Sequence, residues 1–168
     1  YDNSAELIGA VRGDPFYGQD AHYKRGAALS YRDNGDGTVA DLNTGLTWQK
    51  TPALNGFSWQ RAQDYCTQLT LAGTSGWRAP SLKELFSISD FETGWPYLDT
   101  TYFSLAGRGV SKDEQYWSTE YYKPGLINNG SPSAFGVNHG TGHIKAYPAD
   151  AGGPVGQKHV RCVRGDAY

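Results

Sequence analysis

The stretch Ser58-Trp59-Gln60-Arg61-Ala62-Gln63-Asp64-Tyr65-Cys66-Thr67-Gln68-Leu69 decides how this chain folds. Trp59, Ala62, Cys66 and Leu69 recur at spacings of three and four, so they share one face of a helix, and Ser58 stands where an N-cap belongs. The spacing predicts a helix over residues 59–69 that turns Cys66 inward. The other cysteine, Cys162, lies in Lys158-His159-Val160-Arg161-Cys162-Val163-Arg164, where alternation predicts a last strand with Val160 and Cys162 on one face. These two cysteines belong to no C-x-x-C pair, which leaves a metal knuckle or redox motif without support; one long-range disulfide fits better and implies an oxidising compartment.

Working outward, Ser81-Leu82-Lys83-Glu84 reads as a capping box after Gly76-Trp77-Arg78-Ala79-Pro80, and it opens a second helix over about 82–88 that buries Leu82, Leu85 and Phe86. Upstream, Tyr31 to Gln49 reads as a small β-meander, because Asn34-Gly35-Asp36-Gly37 and Asn43-Thr44-Gly45 supply the left-handed backbone that tight turns need. The acidic loop from Asp33 is not a calcium loop of the helix-loop-helix type, since its third and fifth positions are Gly35 and Gly37. Downstream, Tyr116–Thr119 is a predicted strand, and 134–138 with 143–147 a hairpin around His139-Gly140-Thr141-Gly142. Long loops fill the rest. Residues 1–30 carry no sustained period and read as an extended N-terminal arm, leaving 31–168 as the folded domain.

With 168 residues the chain is one domain, and 22 Gly with 8 Pro make it turn-rich and exclude a coiled coil. No run approaches the roughly 20 apolar residues needed to cross a bilayer. The net charge of −2 divides into −4 over residues 1–100 and +2 over 101–168, without a basic cluster, which excludes nucleic acid as partner. The chain begins Tyr1-Asp2-Asn3 and contains no Met, which predicts a removed leader and a secreted or cell-surface location.

Few residues are placed for chemistry. His139 and His143 are four apart but sit in a Gly-rich turn without a third ligand, so no metal site is assigned to them. No nucleophile elbow or phosphate-binding loop occurs, and Asp90, Glu92, Asp99, Asp113 and Glu114 read first as solvated loop carboxylates. No cofactor is implied, and a structural calcium held by loop carboxylates stays open. The aromatics are the remaining resource. Trp48, Trp59, Trp77 and Trp117 belong to motif-bearing segments and read as core, whereas Trp95, Tyr97, Tyr121, Tyr122 and Tyr147 fall among Gly, Pro and Asn, where a ring can offer one face to a ligand. Asn128, Asn129, Asn138, His139 and Lys145 nearby supply polar partners.

Six ordered motifs, among them Asp33-Asn34-Gly35-Asp36-Gly37-Thr38-Val39, Thr44-Gly45-Leu46-Thr47-Trp48, Gly76-Trp77-Arg78-Ala79-Pro80-Ser81 and Val160-Arg161-Cys162-Val163-Arg164, resemble those of the Lcl C-terminal-domain family, the end domain of bacterial collagen-like adhesins. Behind it stands a likeness to the C-type-lectin-like fold, which formylglycine-generating enzymes share. The resemblance implies an α+β, C-type-lectin-like architecture with two short helices, small antiparallel sheets and a Cys66–Cys162 disulfide joining the first helix to the last strand. It further implies recognition loops within 119–157, and it suggests oligomers. The calcium- and sugar-binding triplets of true C-type lectins are absent, and no cysteine is left over for catalysis. The expectation is a non-catalytic extracellular module that binds a glycan or a surface protein through Tyr121, Tyr122, Asn138, His139, Lys145 and Tyr147. The alternative is a structural subunit of an extracellular oligomer or filament.

Overall fold

The computed structural model describes residues 28–107, 114–127, 131–150 and 156–166. In chain order these form β1 (Tyr31–Asp33), β2 (Thr38–Asp41), β3 (Thr47–Gln49), α1 (Trp59–Gln68), α2 (Leu82–Ser87), β4 (Gln115–Ile127), β5 (Ser131–Asn138), β6 (His143–Pro148) and β7 (Val163–Arg164). The architecture is α+β: two short helices with a four-stranded sheet, β1-β2-β3-β7, and a three-stranded sheet, β4-β5-β6, both antiparallel. Of the expected arm over 1–30, residues 1–27 lie outside the described residues, as do Asn128, Asn129 and Asp113.

The meander forms as its turn chemistry dictates. Asp33 Oδ1 accepts from the Gly35 N–H at 3.0 Å, Asp36 Oδ1 from the Thr38 N–H at 3.0 Å, and Gly35 takes φ +76°. The Asp33 carboxylate also receives the Lys50 ammonium, so both acidic groups close a turn. β3 then pairs with β7, setting Trp48 opposite Val163 in a core with Val39, Leu46, Leu98 and Phe103.

α1 ends at Gln68, one residue short of expectation, because Leu69 is extended. Ser58 holds the N-cap position in its backbone, but its side chain makes no capping bond. The helix is held instead by its buried face, where Ala62 and Cys66 pack with Trp77, Ala79, Trp117 and Val160. The Cys66–Cys162 disulfide is formed across a sequence separation of 96. α2 has the expected capping box: the Glu84 N–H donates to Ser81 Oγ at 3.2 Å and the Ser81 N–H to Glu84 Oε2 at 2.7 Å. Leu85 is buried as expected, while Leu82 and Phe86 are half-buried. Glu84 is also buried, in a bidentate pair with Arg78 at 2.7 and 2.8 Å.

Two expectations are corrected. The last strand contracts from 158–164 to Val163–Arg164, because the segment changes partner at almost every residue: Lys158 exchanges bonds with Phe57, His159 with β4, and the Val160 carbonyl accepts from Ala53. Val160 and Cys162 are inside, but so is Arg161, which alternation places outward. Its guanidinium donates to the carbonyls of Gln49 at 2.8 Å and Ser104 at 2.6 Å, and it lies 5.1 Å from the Phe103 ring centroid. The second correction concerns the extent of the loops expected within 119–157, around the hairpin of 134–138 and 143–147, which does form as β5 and β6. Much of that span is strand, with β4 continuing to Ile127 and β5 beginning at Ser131. Gly136 inside β5 marks a close approach of β4, since a Cβ there would lie 2.3 Å from the Tyr116 carbonyl oxygen.

Candidate functional site

The register of the three-stranded sheet places the aromatic side chains. Tyr121, Ala134 and Tyr147 are opposed in one cross-strand row, and Trp117, Gly136 and Lys145 in the next on the same face. Trp117, Ala134 and Tyr147 belong to the core that surrounds the disulfide, so this face looks toward α1. Tyr121, at the outer strand of its row, packs against Trp59 of α1 with ring centroids 4.7 Å apart and planes at 31°. The Trp59 indole is half-buried and its Nε1–H donates to the Ser118 carbonyl at 2.8 Å, so its plane is fixed. Tyr121 is 40% exposed and Tyr122 42%.

Tyr147 differs. It is nearly buried and stands edge-on to Trp117, centroids 5.9 Å apart. Two ammonium groups lie over its ring, Lys158 Nζ at 5.0 Å from the centroid and Lys145 Nζ at 5.7 Å, a cation–π arrangement that brings positive charge to the margin of the Trp59–Tyr121 surface. The face thus gathers three of the expected residues, Tyr121, Lys145 and Tyr147, at one end of the sheet, whereas Tyr122, paired with Ser133, is exposed on the opposite face.

The other two are placed inside the protein. Asn138 ends β5 fully buried, and its Oδ1 accepts from the N–H groups of Gly140 at 2.8 Å and Thr141 at 2.9 Å, closing the hairpin turn. His139 is also fully buried, 5.2 Å from the Tyr116 ring and with Nδ1 3.5 Å from Ser89 Oγ. Burial first and the Arg161 charge second push its pKa down to about 3, so the ring is neutral. Neither side chain reaches the surface that Tyr121 presents. His143, by contrast, is exposed, with Nδ1 2.7 Å from Thr141 Oγ1.

Three of the expected carboxylates, those of Asp90, Asp99 and Glu114, accept hydrogen bonds within the fold. Asp90 Oδ1 accepts from the Glu92 N–H at 2.8 Å, and Asp99 Oδ1 from the Thr101 N–H at 2.9 Å. Glu114 is buried, where it accepts from Ala106 and Gly107 N–H groups and from the Tyr116 hydroxyl at 2.8 Å. Burial first, together with Glu114, raises the Tyr116 pKa despite the opposing Arg161 charge. Among the described residues no group of three His, Cys, Asp or Glu is arranged to hold a metal ion.

Trp59 and Lys158 are the members of this surface that spacing did not identify. Trp59 sits on the inward face of α1 by its period, and only the packing of Tyr121 from β4 beside a half-buried indole shows that its ring also meets solvent. Lys158 carries no such signal, because its segment changes partner at almost every residue and keeps no single alternation.

No curated protein and no solved structure matches the chain. Among the described residues no helix is long and apolar enough to cross a membrane. A family model does match, that of the Lcl C-terminal domain, over residues 37–164, which takes in every strand from β2 onward, both helices and the disulfide. That family is bacterial and not known as catalytic, and its membership is consistent with an extracellular or surface location. Carrying the family's pattern through nearly the whole of its described fold, the chain belongs to the Lcl C-terminal domain family.

Proposed function

We propose that this chain is a non-catalytic binding module that recognises a glycan on the face formed by Trp59 and Tyr121, with Lys145 and Lys158 at its margin. The observation that carries the reading is the Trp59–Tyr121 pair, 4.7 Å apart and partly open to solvent, beside a Tyr147 ring overlain by two ammonium groups. Fixed rings offer broad contact area at small entropy cost, which suits the apolar C–H face of a pyranose. The lysines concentrate part of the positive surplus of the last third of the chain on this face, which favours a sugar bearing carboxylate or sulfate.

Asn138 and His139 have no part in this site, and Tyr147 serves as the buried floor on which the lysines rest. The test is a glycan array of neutral and sulfated sugars, run with and without a chelator, on the wild type and on Tyr121→Ala and Lys145→Ala. Tyr121→Ala is expected to lose binding at unchanged fold, and Lys145→Ala to weaken acidic sugars more than neutral ones. Wild-type binding by Tyr121→Ala removes this face as the site.

A further inference from the structure

A second aromatic surface lies across the β4–β5–β6 sheet from the first, and its charge is opposite. The segment from Ser89 to Leu98 closes on itself by a bridge between those two residues and by the Asp90 N–H donating to the Tyr97 carbonyl at 3.2 Å. Asp90 Oδ1 caps Glu92 N–H within it, and the Tyr97 N–H donates outward to the His139 carbonyl at 2.7 Å. Rings tie it down as well. Phe91 lies 5.5 Å from Phe86 of α2 and 5.4 Å from Tyr97, whose ring covers Gly142 so closely that a Cβ there would come within 2.7 Å.

This anchored loop nonetheless holds Phe91 and Trp95 more than half exposed, at 55% and 56%. Glu92 is exposed between them, with Asp90 at the loop's base. Apolar rings fixed in water by a rigid loop mark an interaction surface. Its position is set by Phe86, which packs on the core of Leu85, Tyr116 and Val137. Tyr116 and Trp117 are neighbours in β4 and point to opposite faces, so the 90–97 loop stands on the far side of the sheet from Tyr121 and Tyr147.

We propose that the acidic aromatic loop of one copy, carrying Phe91, Glu92 and Trp95, docks on the basic aromatic face of a second copy, formed by Trp59, Tyr121, Lys145 and Lys158. Aromatic surface meets aromatic surface, and the Asp90 and Glu92 carboxylates meet the two ammonium groups; the pairing is complementary where either surface against itself is like-charged. The loop cannot reach the face of its own copy, which lies across the sheet. Each copy therefore contributes two different patches, a heterologous contact that extends head to tail and does not close as a two-fold dimer. The proposal shares the Trp59–Tyr121 face with the proposed glycan site, so an acidic sugar and a second copy exclude one another there.

Sedimentation of the purified protein over a concentration series tests it. The weight-average mass is expected to climb past that of a dimer as concentration rises, and the climb to weaken between about 0.05 and about 0.5 M salt. Trp95→Ala, Glu92→Lys and Tyr121→Ala each remove the association, raising the dissociation constant roughly tenfold or more, as interface hot spots do. Mixing decides the geometry. Trp95→Ala keeps an intact face and Tyr121→Ala an intact loop, so the two, each monomeric alone, are expected to form a one-to-one dimer and nothing larger. A wild type that stays monomeric to roughly 1 mM, the weak end of specific affinity, overturns the proposal. So do a mass that stops at the dimer and a mixture that fails to pair. Glycan binding by Trp95→Ala, measured in parallel on the same array, stands or falls separately, so loss of one activity is told from loss of the other.

Discussion

Replacing Gly136 by Ala tests the strand register on which the aromatic face depends. Its cost is steric alone, because the backbone there lies outside the left-handed region, and an added Cβ would meet the Tyr116 carbonyl oxygen at 2.3 Å and its carbon at 3.2 Å. Ordinary contact between such atoms is about 3.4 Å or more, so a gap of roughly 1 Å must open. The obstructing atom belongs to the main chain of β4 and has no rotamer to escape into. β4 and β5 must part, weakening the bonds on either side at about 1 kcal/mol each and loosening the fully buried Tyr116 and Trp117. A loss of about 3 kcal/mol follows, or roughly 6–12 °C in Tm for a chain of this length. Gly45→Ala is the control, since φ +76° there strains an L residue but nothing lies within 4 Å, and about 1 kcal/mol is expected. Urea denaturation followed by tryptophan fluorescence measures both. If Gly136→Ala costs no more than Gly45→Ala, the strands do not approach as described, and the row that aligns Tyr121 with Tyr147 is lost with them.

Removing the disulfide by Cys66→Ala with Cys162→Ala is expected to cost up to about 4.7 kcal/mol in the chain-entropy model for a loop near 100 residues; a change under 1 kcal/mol in the same denaturation would show that the link constrains little. Glu84→Gln breaks the pair with Arg78 and is expected to cost about 2 kcal/mol at pH 7. Burial raises the Glu84 carboxyl, but the Arg78 hydrogen bond and the Ser81 N–H outweigh it and hold the pKa below the ordinary value. The pair's contribution is therefore present above the unfolded pKa of about 4.3 and is lost as pH falls through the folded value, so wild type and variant should converge in acid. His139, with its pKa down to about 3, gives the other acid limb. Its neutral form is stabilised by folding, so stability should fall from about pH 6.5 toward pH 3 by up to about 1.4 kcal/mol per unit, and His139→Phe should flatten that slope. Finally, Tyr147→Ala is expected to cost about 3 kcal/mol and Tyr121→Ala under about 1, measured by Tm, since the first ring is core and the second sits at the surface.

The elements that depend on near neighbours in the chain were legible in the sequence. The period of Trp59, Ala62 and Cys66 specified α1, the reciprocal bonds of Ser81 and Glu84 specified α2, and Gly35 with Asp33 and Asp36 specified the first turn, because each is settled within a few residues by backbone geometry. Two cysteines left one possible intrachain pair, so the disulfide was legible as well. What local pattern could not settle was which face each side chain meets when distant segments converge. Arg161 alternates as a surface residue and is buried, because three carbonyls from segments about 57 to 112 residues away surround its guanidinium. Asn138 and His139 have the composition of a binding loop, yet their polar atoms turn inward to the hairpin and to Ser89. Trp59 reads as core and packs against it, yet stays half-buried, with Tyr121 of β4 beside its ring. Periodicity along a chain reports which residues share a side of one element; exposure is fixed only by what packs on that side, and here the partners come from sequence separations of tens of residues, which no short window contains.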